Sequence, residues 1–489
     1  MKFIFPIISG IFLTLSFPPF SIPYLSFFSL VPLLISIKNT SSKDAFKIGL
    51  LCGLSHFLTL LYWVPYPISK YGNIPIYLSI WPCMLLCLYL SLFFAIFCWL
   101  SRIEDNLPLF FYPSCWIFLE FLRAKLLTGF PWCLIGYSLY KNTYLIQIAD
   151  IFGVYGLSFI VVLINTFIYL LLTKKLKPYH VILTSSIILF TYAYGIYSLD
   201  RPFKGKEIKA AIIQGNIDQS LKWTPSYQDK TIEIYLNLTR KALKEDARLI
   251  VWPETSVPFY FQDDGFLAER IYEISNNAIL LFGSPAYKKK NGKIYYFNRA
   301  YLVSSGRIIS FYDKIHLVPF GEYVPLKKIL FFIHRLVPSA GDFSPGKGIY
   351  PLRYKDISAG VMICYEAIFP EIARIHVKRG ANLLVNISND AWFGRTSAPY
   401  QHLSMAVLRA VENRRFLIRA TNTGISAFID PYGRILKKSL LFKREFLIAD
   451  VRLINYKTFY NRFGNVILYF CSFFVLFVLM KKLANFYFK

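Results

Sequence analysis

Acidic side chains are scarce in this chain. Its 489 residues hold 28 Asp and Glu against 55 Lys and Arg, a formal net charge of +27. Charged residues of both signs make up only 17%, where a soluble globular chain carries roughly 25%. So apolar a composition excludes intrinsic disorder, a collagen-like fold and a small disulfide scaffold. Histidine occurs six times, and neither His-Glu-x-x-His nor a paired Cys-x-x-Cys occurs at all. A zinc site is therefore not expected, and the sequence points to no metal and no cofactor. Of the eight cysteines, Cys364 alone lies in the polar part of the chain, so that part has no internal disulfide partner. Cys83 and Cys87, one helical turn apart, read as small core residues. Basic helices and ribonucleoprotein-type aromatic motifs are missing too, which argues against nucleic acid as a partner. Anionic lipid headgroups account for the basic excess more simply.

What is abundant is apolar: 55% of the residues, with 18% aromatic and a mean hydropathy of +0.43. The average hides two unlike parts. Residues 200–462 hold 40 Lys and Arg and 23 Asp and Glu, while the other 226 residues hold 15 basic groups and five acids. Eight apolar segments are predicted to span a membrane: 3–17, 21–37, 48–64, 76–100, 107–122, 151–173, 181–199 and 463–480. Breaks such as Phe17-Pro18-Pro19-Phe20 separate them. With the N-terminus in the cytoplasm, eleven short-loop cations face inward, among them Lys38, Lys43, Lys47, Arg102 and Lys174. Four face outward: Lys70, Arg123, Lys125 and Lys141. This bias places residues 200–462 outside. The expected domains are a seven-helix membrane domain over 1–199, an external catalytic domain over 200–462, and a final membrane helix with a short cytoplasmic tail over 463–489.

The external part alternates strand and helix, the pattern of an α/β layered domain. Strands are expected at 208–213, 249–252, 357–363 and 383–387, and helices at 231–243 and 370–379. Chemistry-bearing residues fall at strand ends, where open α/β sheets gather their functional groups. Glu254 stands in Trp252-Pro253-Glu254-Thr255, and Lys314 in Tyr312-Asp313-Lys314-Ile315-His316. Cys364 ends the apolar run Gly360-Val361-Met362-Ile363. A helix follows it closely, and a positive helix end beside the thiol is expected to favour thiolate. Taken singly, Glu254 reads equally as a loop cap and Lys314 as a solvated surface lysine. Together, a thiol, a carboxylate and an ammonium make a nucleophile, its base and an electrostatic stabiliser.

In this order of phrases the sequence resembles the nitrilase superfamily, whose members carry a Glu–Lys–Cys triad on an αββα sandwich. With apolar spans on both sides, the whole chain resembles the bacterial apolipoprotein N-acyltransferases. Glu120-Phe121-Leu122-Arg123, Thr128-Gly129-Phe130-Pro131-Trp132 and Gln214-Gly215-Asn216-Ile217 through Lys222-Trp223 carry that resemblance. It implies a multi-pass inner-membrane enzyme with a periplasmic nitrilase-like domain. It implies a phospholipid as acyl donor and a diacylglyceryl apolipoprotein as acceptor, with a thioester between the two steps. Glu254, Lys314 and Cys364 would be catalytic. Glu322, Tyr365, Glu366, Asn389 and Trp392 would support them, although Glu322 and Glu366 read equally as balancing local positive charge. Arg123 is a candidate for headgroup contact, Trp132 for interfacial anchoring, and Trp223, Phe331 and Phe332 for substrate binding. The stretches 257–261 and 326–337 either line a lipid entrance or pack on the domain's own core. A monomer is expected. The rival readings are a membrane-tethered hydrolase with the same three residues, and a transporter with an external receptor domain.

Overall fold

The computed structural model describes residues 3–104, 107–325 and 343–487. Phe331 and Phe332, with the whole stretch 326–337, lie outside them. The chain divides into two units, one made of 1–68, 75–201 and 463–489, the other of 69–74 and 202–462.

The first unit is helical. Its helices are α1 (Ile4–Leu15), α2 (Val31–Ile37), α3 (Ser42–Leu60), α4 (Pro65–Gly72), α5 (Ile76–Ile103), α6 (Pro108–Lys125), α7 (Ala149–Leu172) and α8 (Pro178–Leu199), with a last helix at Val466–Tyr487. Among the described residues, three helical stretches are long and apolar enough to cross a membrane: Ile76–Ile103, Leu145–Leu172 and Pro178–Leu199. The bent pair α3 and α4, at 49°, makes a fourth if it counts as one span. The first two of the eight expected segments fold instead as short apolar helices, Ile4–Leu15 and Pro23–Ile37. At 1.5 Å per residue α1 reaches only about 18 Å, against a hydrocarbon core of about 30 Å. Prolines at 18, 19 and 23 stop it from running on. Small residues let the helices touch. A Cβ on Gly10 of α1 would meet the Cys52 carbonyl oxygen of α3 at 2.6 Å, and one on Gly49 of α3 would meet the Phe94 carbonyl oxygen of α5 at 2.5 Å.

The second unit stacks two six-stranded sheets. In chain order the strands are β1 (Lys206–Gln214), β2 (Leu249–Val251), β3 (Ile279–Lys290), β4 (Lys293–Ser304), β5 (Arg307–Asp313), β6 (Leu352–Tyr354), β7 (Ile357–Ile363), β8 (Leu383–Ser388), β9 (Leu417–Thr421), β10 (Ala427–Ile429), β11 (Ile435–Lys438) and β12 (Glu445–Leu453). One sheet has the order β12-β1-β2-β3-β4-β5, the other β11-β10-β9-β8-β7-β6. Strand alternation builds the layers. Ala210 and Ile212 of β1 face β7 and β8 residues such as Val361 and Val385 in one core. Ala211 and Ile213 face the opposite way into a second core. That second core is closed by α9 (Pro225–Leu243) and α10 (Phe266–Ser275). The helices α11 (Pro370–Lys378) and α12 (Ala398–Asn413) pack on β7 and β9 of the other sheet. The result is a four-layer αββα arrangement. Strand β7 has the expected bounds. Helix α9 starts six residues before the expected 231, because Pro225 at its first turn is compatible with a helix start.

Candidate active site

In the first sheet β1, β2 and β3 run parallel, so their carboxyl ends share one edge. Glu254 follows β2 at that edge. Strand β5 is antiparallel to β4, which is antiparallel to β3, so Lys314 just beyond β5 reaches the same edge. Both side chains are buried, which sets aside the solvated-lysine reading for Lys314. The Lys314 Nζ lies 2.9 Å from each oxygen of Glu322 and 3.7 Å from Glu254 Oε1. Asn298 Nδ2, from β4, donates to Glu254 Oε1 at 2.7 Å and to Glu322 Oε1 at 3.0 Å. The second Glu254 oxygen accepts the Asn389 backbone N–H at 2.9 Å. Glu322 Oε2 also accepts the Val318 N–H at 2.8 Å, so a local turn aims the carboxylate at the lysine. Burial opposes charge on Lys314, but the Glu322 and Glu254 carboxylates outweigh it and hold its pKa above the ordinary lysine value.

Cys364 closes β7 in the second sheet with a left-handed bend, φ +53°. Its thiol lies within electrostatic reach of Glu254 and Lys314. Here the structure corrects the expectation of a thiolate. Burial and the Glu254 carboxylate push the thiol above its ordinary value, and the Lys314 ammonium only offsets part of this. The turn that follows, Cys364–Ile368, is a short 3₁₀ segment, too small a dipole to outweigh desolvation.

Glu366 buckles the two sheets together. Its Oε1 accepts from Tyr312 Oη at 2.9 Å, Ile315 N at 2.7 Å and His316 N at 3.2 Å. Its Oε2 accepts from Ile363 N at 2.7 Å. One buried carboxylate thus ties the Lys314 segment to the Cys364 bend. Burial, against these donors, raises its pKa to about 7. Tyr365 is buried, its ring 5.3 Å from that of Phe369. Trp392 is half-buried, edge-on to Tyr71 at 4.6 Å, and the Tyr71 hydroxyl donates to the Ala391 carbonyl at 3.0 Å.

The remaining candidates make none of these contacts. Trp223 is exposed on the second unit. Arg123 and Trp132 belong to the first unit, and both are buried there rather than presented at its surface. The Trp132 ring packs 5.0 Å from Trp63, and the Arg123 guanidinium sits 5.4 Å from the Phe57 ring centroid. An indole buries more apolar area against a second indole than at an interface.

Several functional neighbours escaped the sequence reading. Lys222 is fully buried, its Nζ 2.6 Å from Thr255 Oγ1 and 3.4 Å from the Glu254 carbonyl oxygen. It supports a bend in which Thr255, a β-branched residue, has φ +45°. Burial pulls its pKa down to about 7, with Glu254 only partly opposing. Behind Cys364 lies a second network. His402 Nε2 is 3.2 Å from the Cys364 carbonyl oxygen, and Nδ1 is 3.0 Å from Arg419 Nη2. Arg419 also bonds Asp390 Oδ2 at 2.7 Å and the side-chain oxygen of Asn386. His402 Nδ1 also lies 3.2 Å from Asp390 Oδ1, so one ring nitrogen faces the Arg419–Asp390 pair while the other faces the Cys364 carbonyl. The signal was present in the sequence: Arg419 is a cation in the short β-type run Leu417-Ile418-Arg419-Ala420-Thr421.

Known proteins resemble this chain over nearly its whole length. Residues 9–167 match the family model of the apolipoprotein N-acyltransferase N-terminal domain, and residues 209–459 match that of carbon-nitrogen hydrolases. A relative named apolipoprotein N-acyltransferase in Geobacter metallireducens is 43% identical over 96% of this chain and 93% of its own. Relatives of the same name in Rickettsia typhi (34%; 95% of this chain, 94% of its own) and Wigglesworthia glossinidia brevipalpis (36%; 94% and 93%) cover it as fully. A solved carbon-nitrogen hydrolase from Helicobacter pylori is 21% identical, over 51% of this chain and 90% of that one, with a TM-score of 0.39. The chain belongs to the apolipoprotein N-acyltransferase family, with a carbon-nitrogen hydrolase domain carried by a membrane protein.

Proposed function

We propose that the protein moves a fatty acyl chain from a membrane phospholipid to the α-amine of the N-terminal diacylglyceryl-cysteine of apolipoproteins. The observation that carries this reading is the buried meeting of Glu254, Lys314 and Cys364 at one edge of two facing sheets, in a chain with membrane-crossing helices. Glu254 takes the proton from the Cys364 Sγ as general base. The need for a base follows from burial, which keeps the resting sulfur a thiol. The sulfur attacks the ester carbonyl carbon. Lys314 and the Tyr365 backbone N–H hold the oxyanion; one such donor is worth about a hundred- to a thousandfold in rate. The carbon–oxygen bond breaks, the lysophospholipid leaves with the proton from Glu254, and a thioester remains. The acceptor amine attacks in its neutral form, Glu254 takes its proton, and the thiol is regenerated with the amide.

Asn298 and the Asn389 N–H hold the base, Glu322 holds the Lys314 ammonium and is itself held by Asn298, and Glu366 holds the two segments together. The same reading places the membrane-crossing helices in the inner membrane, the N-terminus in the cytoplasm and residues 200–462 in the periplasm, and takes the protein as a monomer. Labelled phospholipid offered with a diacylglyceryl peptide tests it. Wild type should label the peptide and Cys364→Ser should not. Label recovered only as free fatty acid would make the protein a hydrolase instead.

A further inference from the structure

Strand β3 continues for nine residues past its pairing with β2, roughly 30 Å, before turning into β4. It leaves the sheet at the edge that carries Glu254 and Lys314. The turn is Asn291-Gly292, with φ of +50° and +73°, the backbone of a tight two-residue hairpin. Its tip is exposed from Lys288 to Tyr296. Register assigns the faces. Lys288 lies opposite Tyr295 and Lys290 opposite Lys293, so three ammonium groups and a phenol share one face. Lys289 lies opposite Ile294 on the other. That face also carries Tyr287 and Tyr296, whose rings stand 5.0 and 6.4 Å from that of Tyr260.

This arrangement is costly in isolation. Like charges directly opposite one another destabilise a hairpin. Among the described residues, no carboxylate forms an ion pair with Lys288, Lys289, Lys290 or Lys293. A hairpin that concentrates cations among exposed Ile294 and Tyr295 has the composition of an element that meets a charged apolar boundary: long ammonium stems reach phosphate while rings sit among headgroups.

We propose that the tip of the β3–β4 hairpin, 287–296, docks end-on on the anionic headgroups of a phospholipid bilayer, so that Lys288, Lys290, Lys293 and Tyr295 on one face and Lys289 and Ile294 on the other all reach headgroup level. The proposal does not rest on the acyl-transfer chemistry; it needs only the membrane that the apolar helices already require. A polyanion such as RNA would meet the charge, but it gives no reason for the exposed isoleucine.

The test uses the full chain in lipid nanodiscs. Cys364→Ser removes the reactive thiol and the other seven native cysteines are buried, so Tyr295→Cys in that background accepts a polarity-sensitive dye selectively. The dye should emit to the blue in discs containing phosphatidylglycerol relative to phosphatidylcholine alone. The shift should vanish in about 0.5 M salt, which shortens screening to a few ångströms. Replacing Lys288, Lys290 and Lys293 by Gln should weaken docking about a hundredfold, each cation contributing about fivefold near an anionic surface. Equal emission in the two lipids, or a shift that survives salt, overturns the proposal. So does a labelled RNA oligonucleotide that displaces the dye from phosphatidylglycerol discs. The salt titration needs no lysine variant, so it stands even if the triple variant folds poorly.

Discussion

The two sheets bring different electrostatics to one site. At the edge of the first, charge is shared: Lys314 lies against two carboxylates, and Asn298 bridges both. At the edge of the second, the charges cancel locally. Asp390 pairs with Arg419 behind the bend, and burial with the Glu254 carboxylate holds the Cys364 thiol above its ordinary pKa. Lys222 sharpens the contrast. It is as buried as Lys314 and also lies beside Glu254, yet it meets a hydroxyl and a carbonyl instead of carboxylates, and its pKa falls to about 7 where that of Lys314 rises. Burial alone therefore does not set a lysine's charge in this domain; the partner does.

The largest effects should come from the two charges that act on the thiol, and they should separate in sign. Glu254→Gln and Lys314→Met should each cost a hundredfold or more in acyl transfer. The Glu254 carboxylate raises the thiol pKa and the Lys314 ammonium lowers it. Glu254→Gln should therefore shift the pH profile of Cys364 alkylation down, and Lys314→Met should shift it up. Shifts in the same direction would break the comparison.

Next comes the pair behind the bend. Arg419→Met leaves Asp390 buried without its cation, at a cost of about 3–5 kcal/mol measurable by chemical denaturation. The Asp390 carboxyl is held well below the ordinary carboxylate value: burial opposes this, but Arg419 and His402 outweigh it. A depressed folded-state value means stability that is full above the ordinary carboxylate range and lost as pH falls below it. Acid unfolding of wild type should show that loss, and Arg419→Met should show much less of it. His402→Gln, which keeps a donor for the Cys364 carbonyl, should retain more kcat than His402→Leu, with KM unchanged.

The smallest effect is expected at Lys222. Lys222→Met removes hydrogen bonds that hold the Thr255 bend, and should cost about tenfold in kcat. Wild type should lose about as little on passing from pH 6 to pH 8, through its value near 7.

The sequence was legible where a residue type conflicts with its surroundings. Glu254, Lys314 and Cys364 each end a strand in a phrase with no packing reason for charge or thiol. The alternating pattern of the second unit also read clearly. Asn298, Lys222 and His402 did not, because their partners lie 44, 33 and 38 residues away and no local pattern marks them. The thiolate expectation failed for a physical reason: sequence shows a helix following the cysteine, but burial appears only once the sheets face each other. The short first helices escaped for a similar reason, since an apolar stretch does not reveal where proline ends its regular backbone.

The central claim is a sulfur atom that carries the acyl chain between two substrates, and intact-protein mass measurement tests it directly. Wild type incubated with a phospholipid of one defined chain, without acceptor, should gain the mass of that acyl group on Cys364. It should lose that mass when a diacylglyceryl peptide is added, with the peptide gaining it. No adduct, an adduct on another residue, or an adduct released to water while the peptide stays unmodified would contradict the account.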